Sequence, residues 1–169
     1  MDSSAKKYYA GDWKPDYSKF KKTGWKLLNK LTQDDVVLDI GCGYNLYKEK
    51  LGDRLWGIDV VNKKADQVIS WEDYKPHMDF TVYFILGAFN WGSEEQIEAQ
   101  VSKLSQDAKQ GTRVYWRQST GEGRYVPMGK NVYPWTLEKN IEWCDKYGFK
   151  MLESANDGEG RIYSQWIKI

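Results

Sequence analysis

The stretch VVLDIGCGYNLYKEKLG, residues 36–52, limits what this chain can fold into more than any other segment. The apolar run Val36 to Ile40, broken only by Asp39, is too short for a helix and reads as a buried strand. Gly41 and Gly43 follow at once, and NLYKEKL then reads as a short helix. A strand that ends in an acid and opens through glycines into a helix is one unit of a parallel α/β sheet. In such sheets ligands sit beyond the carboxyl ends of the strands, where strand order reverses. Glycines at that point let the backbone approach a ligand closely and adopt conformations that a Cβ blocks.

The rest of the chain alternates in the same way. LWGIDV (55–60), QVIS (67–70), FTVYFIL (80–86) and TRVYWRQ (112–118) read as further strands, rich in β-branched and aromatic residues. Phe20, Gly24, Leu27, Leu28 and Leu31 fall on one helical face. Ser93 and Gln96 have capping-box spacing ahead of a stripe of Ile97, Val101, Leu104 and Ala108 that ends before Gly111. Thr136 can cap a helix with Leu137, Ile141 and Cys144 inward and Gly148 at its stop. The chain closes with two extended runs around Asp157, Gly158 and Gly160, a hairpin signal, so its last strand runs antiparallel to the one before.

With 169 residues the expectation is a single domain over 1–169, large enough to bury a full core, with residues 1–16 as a possible lid. The 25 Lys and Arg nearly balance the 24 Asp and Glu, so no overall field favours nucleic acid or an acidic surface. Cys42 and Cys144 form no CxxC pair or metal-ligand cluster, and no metal is expected. No apolar stretch approaches the roughly 20 residues that span a bilayer. The start MDSSAKKYYAGDWK lacks the apolar core of a signal peptide, so a cytoplasmic, globular protein is expected.

LDIGCGYN and GIDV, with the looser WEDY and FILGAFNWG and the terminal hairpin, resemble the class I S-adenosylmethionine-dependent methyltransferases. The resemblance implies a three-layer αβα sandwich with a mostly parallel seven-stranded sheet and a C-terminal antiparallel hairpin strand. It also implies S-adenosyl-L-methionine as cofactor, held by Asp39, Gly41, Cys42, Gly43 and Asn45 of the glycine loop and by Asp59 and Val60 after the second strand. Trp71 and Glu72 (with Ser70) would lie by the adenine, Leu86 would also contact the cofactor, and Gly87 opens the GAFNWG stretch beside the transferred methyl group. The family pattern is acid-x-Gly-x-Gly-x-Gly, so Asn45 replaces the third glycine. Asn tolerates left-handed backbone best among the other residues. The loop also lacks the GxGxxG of a dinucleotide site, because Leu46 stands at its third glycine.

The resemblance places the methyl acceptor, expected to be a small molecule, beside GAFNWG, with Asn90 and Trp91 as candidates. The long connection Ser119 to Trp135 adds Glu122, Arg124, Tyr125 and Tyr133. The aromatic N-terminus, through Tyr8, Trp13 and Tyr17, is the only other spare segment able to wall off a dry pocket. His77 precedes the fourth strand, away from the ligand side, and Cys144 reads as core. No catalytic base is assigned, since methyl transfer needs one only when the acceptor must lose a proton. A nucleic-acid methyltransferase, a non-catalytic cofactor-binding protein and a nicotinamide-dependent oxidoreductase remain as alternatives. GAFNWG is not the Asn/Asp-Pro-Pro-aromatic motif of DNA amino-methyltransferases.

Overall fold

The computed structural model describes residues 6–14, 25–121, 132–156, 158 and 160–169. The apolar runs become β1 (Val37–Ile40), β2 (Leu55–Asp59), β3 (Gln67–Val68), β4 (Val82–Ile85), β5 (Arg113–Ser119), β6 (Phe149–Asn156) and β7 (Arg161–Lys168). The α-helices are α1 (Trp25–Leu28), α2 (Lys48–Leu51), α3 (Glu94–Asp107) and α4 (Leu137–Lys146), and a π-helical turn spans Tyr8–Asp12. The strands form one sheet in the order β3–β2–β1–β4–β5–β7–β6. Every pairing from β3 to β5 is parallel, whereas β7 runs antiparallel to both β5 and β6. Strand order reverses between β1 and β4, which opens a crevice at their carboxyl ends.

Period-two alternation sends side chains to two cores. Leu38, Ile40, Tyr83, Ile85, Trp116 and Trp166 pack with Ile97, Val101 and Leu104 of α3 and with Trp143 and Cys144 of α4. Val37, Val82, Phe84 and Tyr115 pack on the opposite face with Tyr47, Leu51 and, from α1, Leu27 and Leu28. The sheet is therefore the middle of three layers. The capping box at Ser93 and Gln96 is formed, and Thr136 caps α4 by accepting from the Lys139 N–H.

Two expectations are corrected. The inward face of α4 is not Leu137 and Ile141, each 46% exposed, but Asn140, Trp143 and Cys144. Trp143 stacks on Tyr133 with ring planes 9° apart and meets Trp135 edge-on, an apolar area that an Ile cannot match. Asn140 is buried because it donates to Gln118 and to Ser164 Oγ (3.3 Å) and accepts from Trp166 Nε1 at 2.9 Å. The third strand keeps only Gln67 and Val68. Ser70 leaves it for a turn, its hydroxyl donating to Asp73 at 2.7 Å and its carbonyl accepting from the Tyr74 N–H.

At the amino end of the sheet Asp35 ties three elements together. Its carboxylate accepts from the Thr32 N–H at 2.6 Å and from Thr81 Oγ1 at 3.0 Å, and pairs with Arg113 at 2.5 Å. Burial opposes its ionisation, yet these donors hold its pKa down to about 2. No helix among the described residues is long and apolar enough to cross a membrane.

The reassigned face of α4 sets an expected contrast. Trp143→Ala should destabilise the fold by about 3–5 kcal/mol, whereas Ile141→Lys should stay within about 0.5 kcal/mol of the parent. Urea unfolding of both variants measures it, and a large loss with Ile141→Lys would reinstate the helix face read from the sequence.

Candidate active site

The loop after β1 turns sharply because the N–H groups of Gly41 and Cys42 both donate to the Ile58 carbonyl, at 2.9 and 3.0 Å. Gly41, Gly43 and Asn45 all have positive φ (72°, 55° and 54°), so Asn45 takes the left-handed geometry of the glycine it replaces. Its side chain is buried and points back into the fold, donating to the Lys64 carbonyl (3.2 Å) and to Asp66 (3.1 Å). Asp66 also accepts from the Gly57 N–H at 2.8 Å and pairs with Lys48 at 2.9 Å. A Cβ on Gly57 would lie 2.5 Å from Asn45 Oδ1 and 2.9 Å from Cys42 Sγ, so β2 must be bare there. Asn45 thus shapes the loop from behind.

Two acids end the strands beside this loop. Asp59 accepts the Gly43 N–H on Oδ2 at 3.0 Å and the Val61 and Asn62 N–H groups on Oδ1, both at 2.9 Å. It joins the glycine loop to the turn after β2, which carries Val60, and is itself half-buried. Asp39 is 4% exposed, and its carboxylate makes no hydrogen bond among the described residues. Burial raises its pKa to about 7, with Arg117 opposing the rise and Asp59 adding to it. Arg117, on β5, donates from Nη2 to the carbonyl of Leu86, next to Gly87, while its buried Nε has no partner among the described residues.

Aromatic rings cover the loop. Trp13 lies over Gly43 so closely that a Cβ there would be 3.0 Å from its ring, and it packs on Tyr44 with centroids 5.6 Å apart. Tyr9 bridges Trp13 (5.7 Å) and Trp91 (5.3 Å). Burial pushes the Tyr9 hydroxyl pKa up, with Tyr8 and Asp59 adding to that and Arg161 and Arg117 opposing it.

The other candidates are placed as follows. Trp71 faces the core, its Nε1 donating to the Gln100 carbonyl at 3.1 Å, and Glu72 accepts from the Gln100 side chain at 2.5 Å. Both side chains are thereby directed to α3. Asn90 is buried with Oδ1 accepting the Ser119 N–H at 3.1 Å, which fastens GAFNWG to β5, and Trp91 is buried beneath Tyr9. Tyr133 lies in the core against Trp143. Tyr17, Glu122, Arg124 and Tyr125 lie outside the described residues. Burial pushes the Cys42 thiol far up, with Asp39, Asp59 and Asp66 adding to it, and brings Cys144 to about 12, so neither is a thiolate near neutrality. His77 bonds the Tyr74 hydroxyl at 3.1 Å and packs on Trp56 and Phe80, just ahead of β4. Tyr9, Arg117, Lys48 and Asp66 are absent from the sequence reading. Of these, Tyr9 belongs to the aromatic N-terminus singled out from the sequence, and Arg117 is signalled as a charge within a mostly buried strand.

No protein-family model matches the sequence, and no curated protein does. Solved structures do match. The N-methyltransferase NodS from Bradyrhizobium japonicum WM9, in complex with S-adenosylhomocysteine, is 13% identical, with a TM-score of 0.73 over 98% of this chain and 96% of that one. Magnesium protoporphyrin IX methyltransferase from Synechocystis PCC 6803, with bound S-adenosylmethionine, is 11% identical, with a TM-score of 0.67 over 100% and 92%. The [4+2]-cyclase SpnF is also similar, at 11% identity and a TM-score of 0.64 over 85% and 78%. The chain has the class I methyltransferase fold, a fold that houses more than one reaction.

The isolated Asp39 has a measurable consequence. Its folded-state pKa, about 7, lies above the ordinary 3.8, so between those values the folded state holds a proton that the unfolded chain has released. Raising the pH through that window therefore costs stability, by at most about 4 kcal/mol. Asp35 works in the opposite sense and below this window, losing its contribution as pH falls toward 2. Asp39→Asn should remove the loss and leave the ligand-free protein more stable than the parent at pH 8 but not at pH 4. Thermal unfolding at both values decides it, and an equal effect at the two would show that burial does not raise the Asp39 pKa.

Proposed function

We propose that the protein is an S-adenosylmethionine-dependent methyltransferase acting on a small molecule. The observation that carries this is Asp39, a buried acid whose side chain has no hydrogen bond among the described residues, placed at the strand-order reversal beside a glycine loop. A buried acid needs a cation or donors, and a sulfonium cofactor with an ammonium group is cationic at both centres. A pyrophosphate would meet the wrong charge there. The fold neighbours crystallised with S-adenosylmethionine or S-adenosylhomocysteine favour the same ligand.

Asp39 would favour the cationic amino-acid end, with Gly41 and Gly43 allowing close backbone approach. Asp59 would accept ribose hydroxyls, chiefly on Oδ2, which has one backbone donor against two on Oδ1. Leu86 and Gly87 would lie nearest the methyl group, which the cofactor supplies as an electrophile on sulfur. The remaining work is alignment of the acceptor in line with that carbon and exclusion of water. Tyr9, Trp13 and Trp91 provide rigid apolar surface for the second task, which supports the N-terminal segment as a lid.

Calorimetric titration tests the cofactor assignment: S-adenosylhomocysteine should bind, and NAD and NADP should not. Asp59→Ala should weaken that binding by about 1.5–3 kcal/mol through lost charge-assisted hydrogen bonds. Tight NADH binding without a response to the adenosyl compound would overturn the reading. Deleting residues 1–16 should abolish methyl transfer to an identified acceptor while S-adenosylhomocysteine still binds with only modest loss. Undiminished turnover by the truncated chain would make the segment a tail.

A further inference from the structure

We infer that the methyl acceptor is an organic acid, its carboxylate held by Arg117; this rests on the methyltransferase reading and extends it to the acceptor. Alternation along β5 puts Trp116 and Gln118 against the α3–α4 core and turns Arg117 to the opposite face, with Tyr115. There, paired to Tyr163 of β7, it walls a cavity of about 70 Å³ together with Leu27 of α1, Leu86 and Tyr115. Leu86 lines this cavity and is also one of the residues proposed to hold the cofactor, which puts the cavity next to the proposed cofactor site.

The guanidinium is only partly satisfied. It has five N–H donors, and the one hydrogen bond it makes among the described residues is that from Nη2 to the Leu86 carbonyl; the buried Nε makes none. Arg117 is half-buried, and the unmade bond of its buried Nε is costly, which makes an arginine with free donors at a cavity wall a site for an anion. Among the described residues the acids nearby do not fill this role. Asp39 interacts with Arg117 through its field but forms no ion pair with it, and Glu153, on the same cavity wall, is paired with Lys30 at 2.5 Å. Arg161 adds positive charge near the Tyr9 hydroxyl. The planar fork of arginine matches the two oxygens of a carboxylate, and the Leu27, Leu86 and Tyr115 walls suit an apolar body behind it.

The test is a titration of benzoate and of its neutral counterpart benzamide into the full chain, with and without saturating S-adenosylhomocysteine. Benzoate should bind in preference to benzamide by on the order of ten- to a hundredfold. Arg117→Gln should erase that preference, and Arg117→Lys, which keeps the charge without the fork, should reduce it. The ratio reads the arginine whatever the substitution does to cofactor affinity, and the lysine variant serves if the glutamine variant does not fold. Equal binding of the two probes, no binding of benzoate at millimolar concentration, or an undiminished preference in either variant overturns the inference. Phenyl phosphate as a third probe separates carboxylate from phosphate recognition; tighter binding of it than of benzoate overturns the carboxylate assignment. Failure of S-adenosylhomocysteine to bind, with the benzoate preference intact, would instead sink the cofactor reading and leave the acid site standing.

Discussion

Two buried carboxylates on one short strand segment organise this molecule. Asp35 and Asp39 are each no more than 5% exposed, and burial alone would keep both neutral. Asp35 is surrounded by donors from the Thr32 backbone, Thr81 and Arg113, and remains ionised while joining β1 to β4 and β5 at the amino end. Asp39, at the carboxyl end, has the field of Arg117 but no side-chain hydrogen bond among the described residues, and its pKa stands near 7. The first arrangement serves stability, and the second gives some of it up. Unmet polarity of this kind is what the proposed cofactor site would cost the fold without its ligand.

The surroundings of Asp39 explain how the cost is contained. Asp66, Lys48 and Asn45 form a polar brace behind the glycine loop, and the absence of a side chain at Gly57 makes room for it. Asp59 ties the front of the loop to the turn after β2 through three backbone donors. A loop held from both sides keeps its left-handed residues in place without a ligand. That is the preorganisation a binding site needs if little ordering is to remain at the moment of binding. The abundance of Trp and Tyr serves two ends here. Trp116, Trp135, Trp143 and Trp166 fill the core under α3 and α4, whereas Tyr9, Trp13, Tyr44 and Trp91 form the cover of the loop.

Much of this was legible from local sequence. The short apolar runs gave β1 to β5 to within two residues at each end, with the weakly apolar edge strand β3 cut to half its expected length. The capping box, the Ile97–Leu104 stripe and the closing hairpin follow from rules that act over a few residues. Left-handed geometry at Asn45 was likewise readable, because only a few residue types tolerate it. The direction of its side chain was not, since Asp66 reaches it from a separate turn. On α4 the error has the same origin: Leu137, Ile141 and Cys144 form a sound apolar stripe, and only the partners Gln118, Ser164 and Tyr133, distant in sequence, turn Asn140 and Trp143 inward.

The sequence by itself determined an alternating α/β chain with a reversed last strand, and it located Asp39, the glycine loop and Asp59, because strand length, chirality and glycine geometry are short-range properties. Only the tertiary structure decided which of those polar groups keep unmet bonding capacity. Asp59 is taken up by the backbone of Gly43 and of the turn after β2, Asn45 by Lys64 and Asp66, Trp71 and Glu72 by α3, and Arg117, within the field of Asp39, is carried by the strand order to a cavity wall. Whether a buried charge is satisfied depends on every element packed around it, and that information exists only once the layers are assembled.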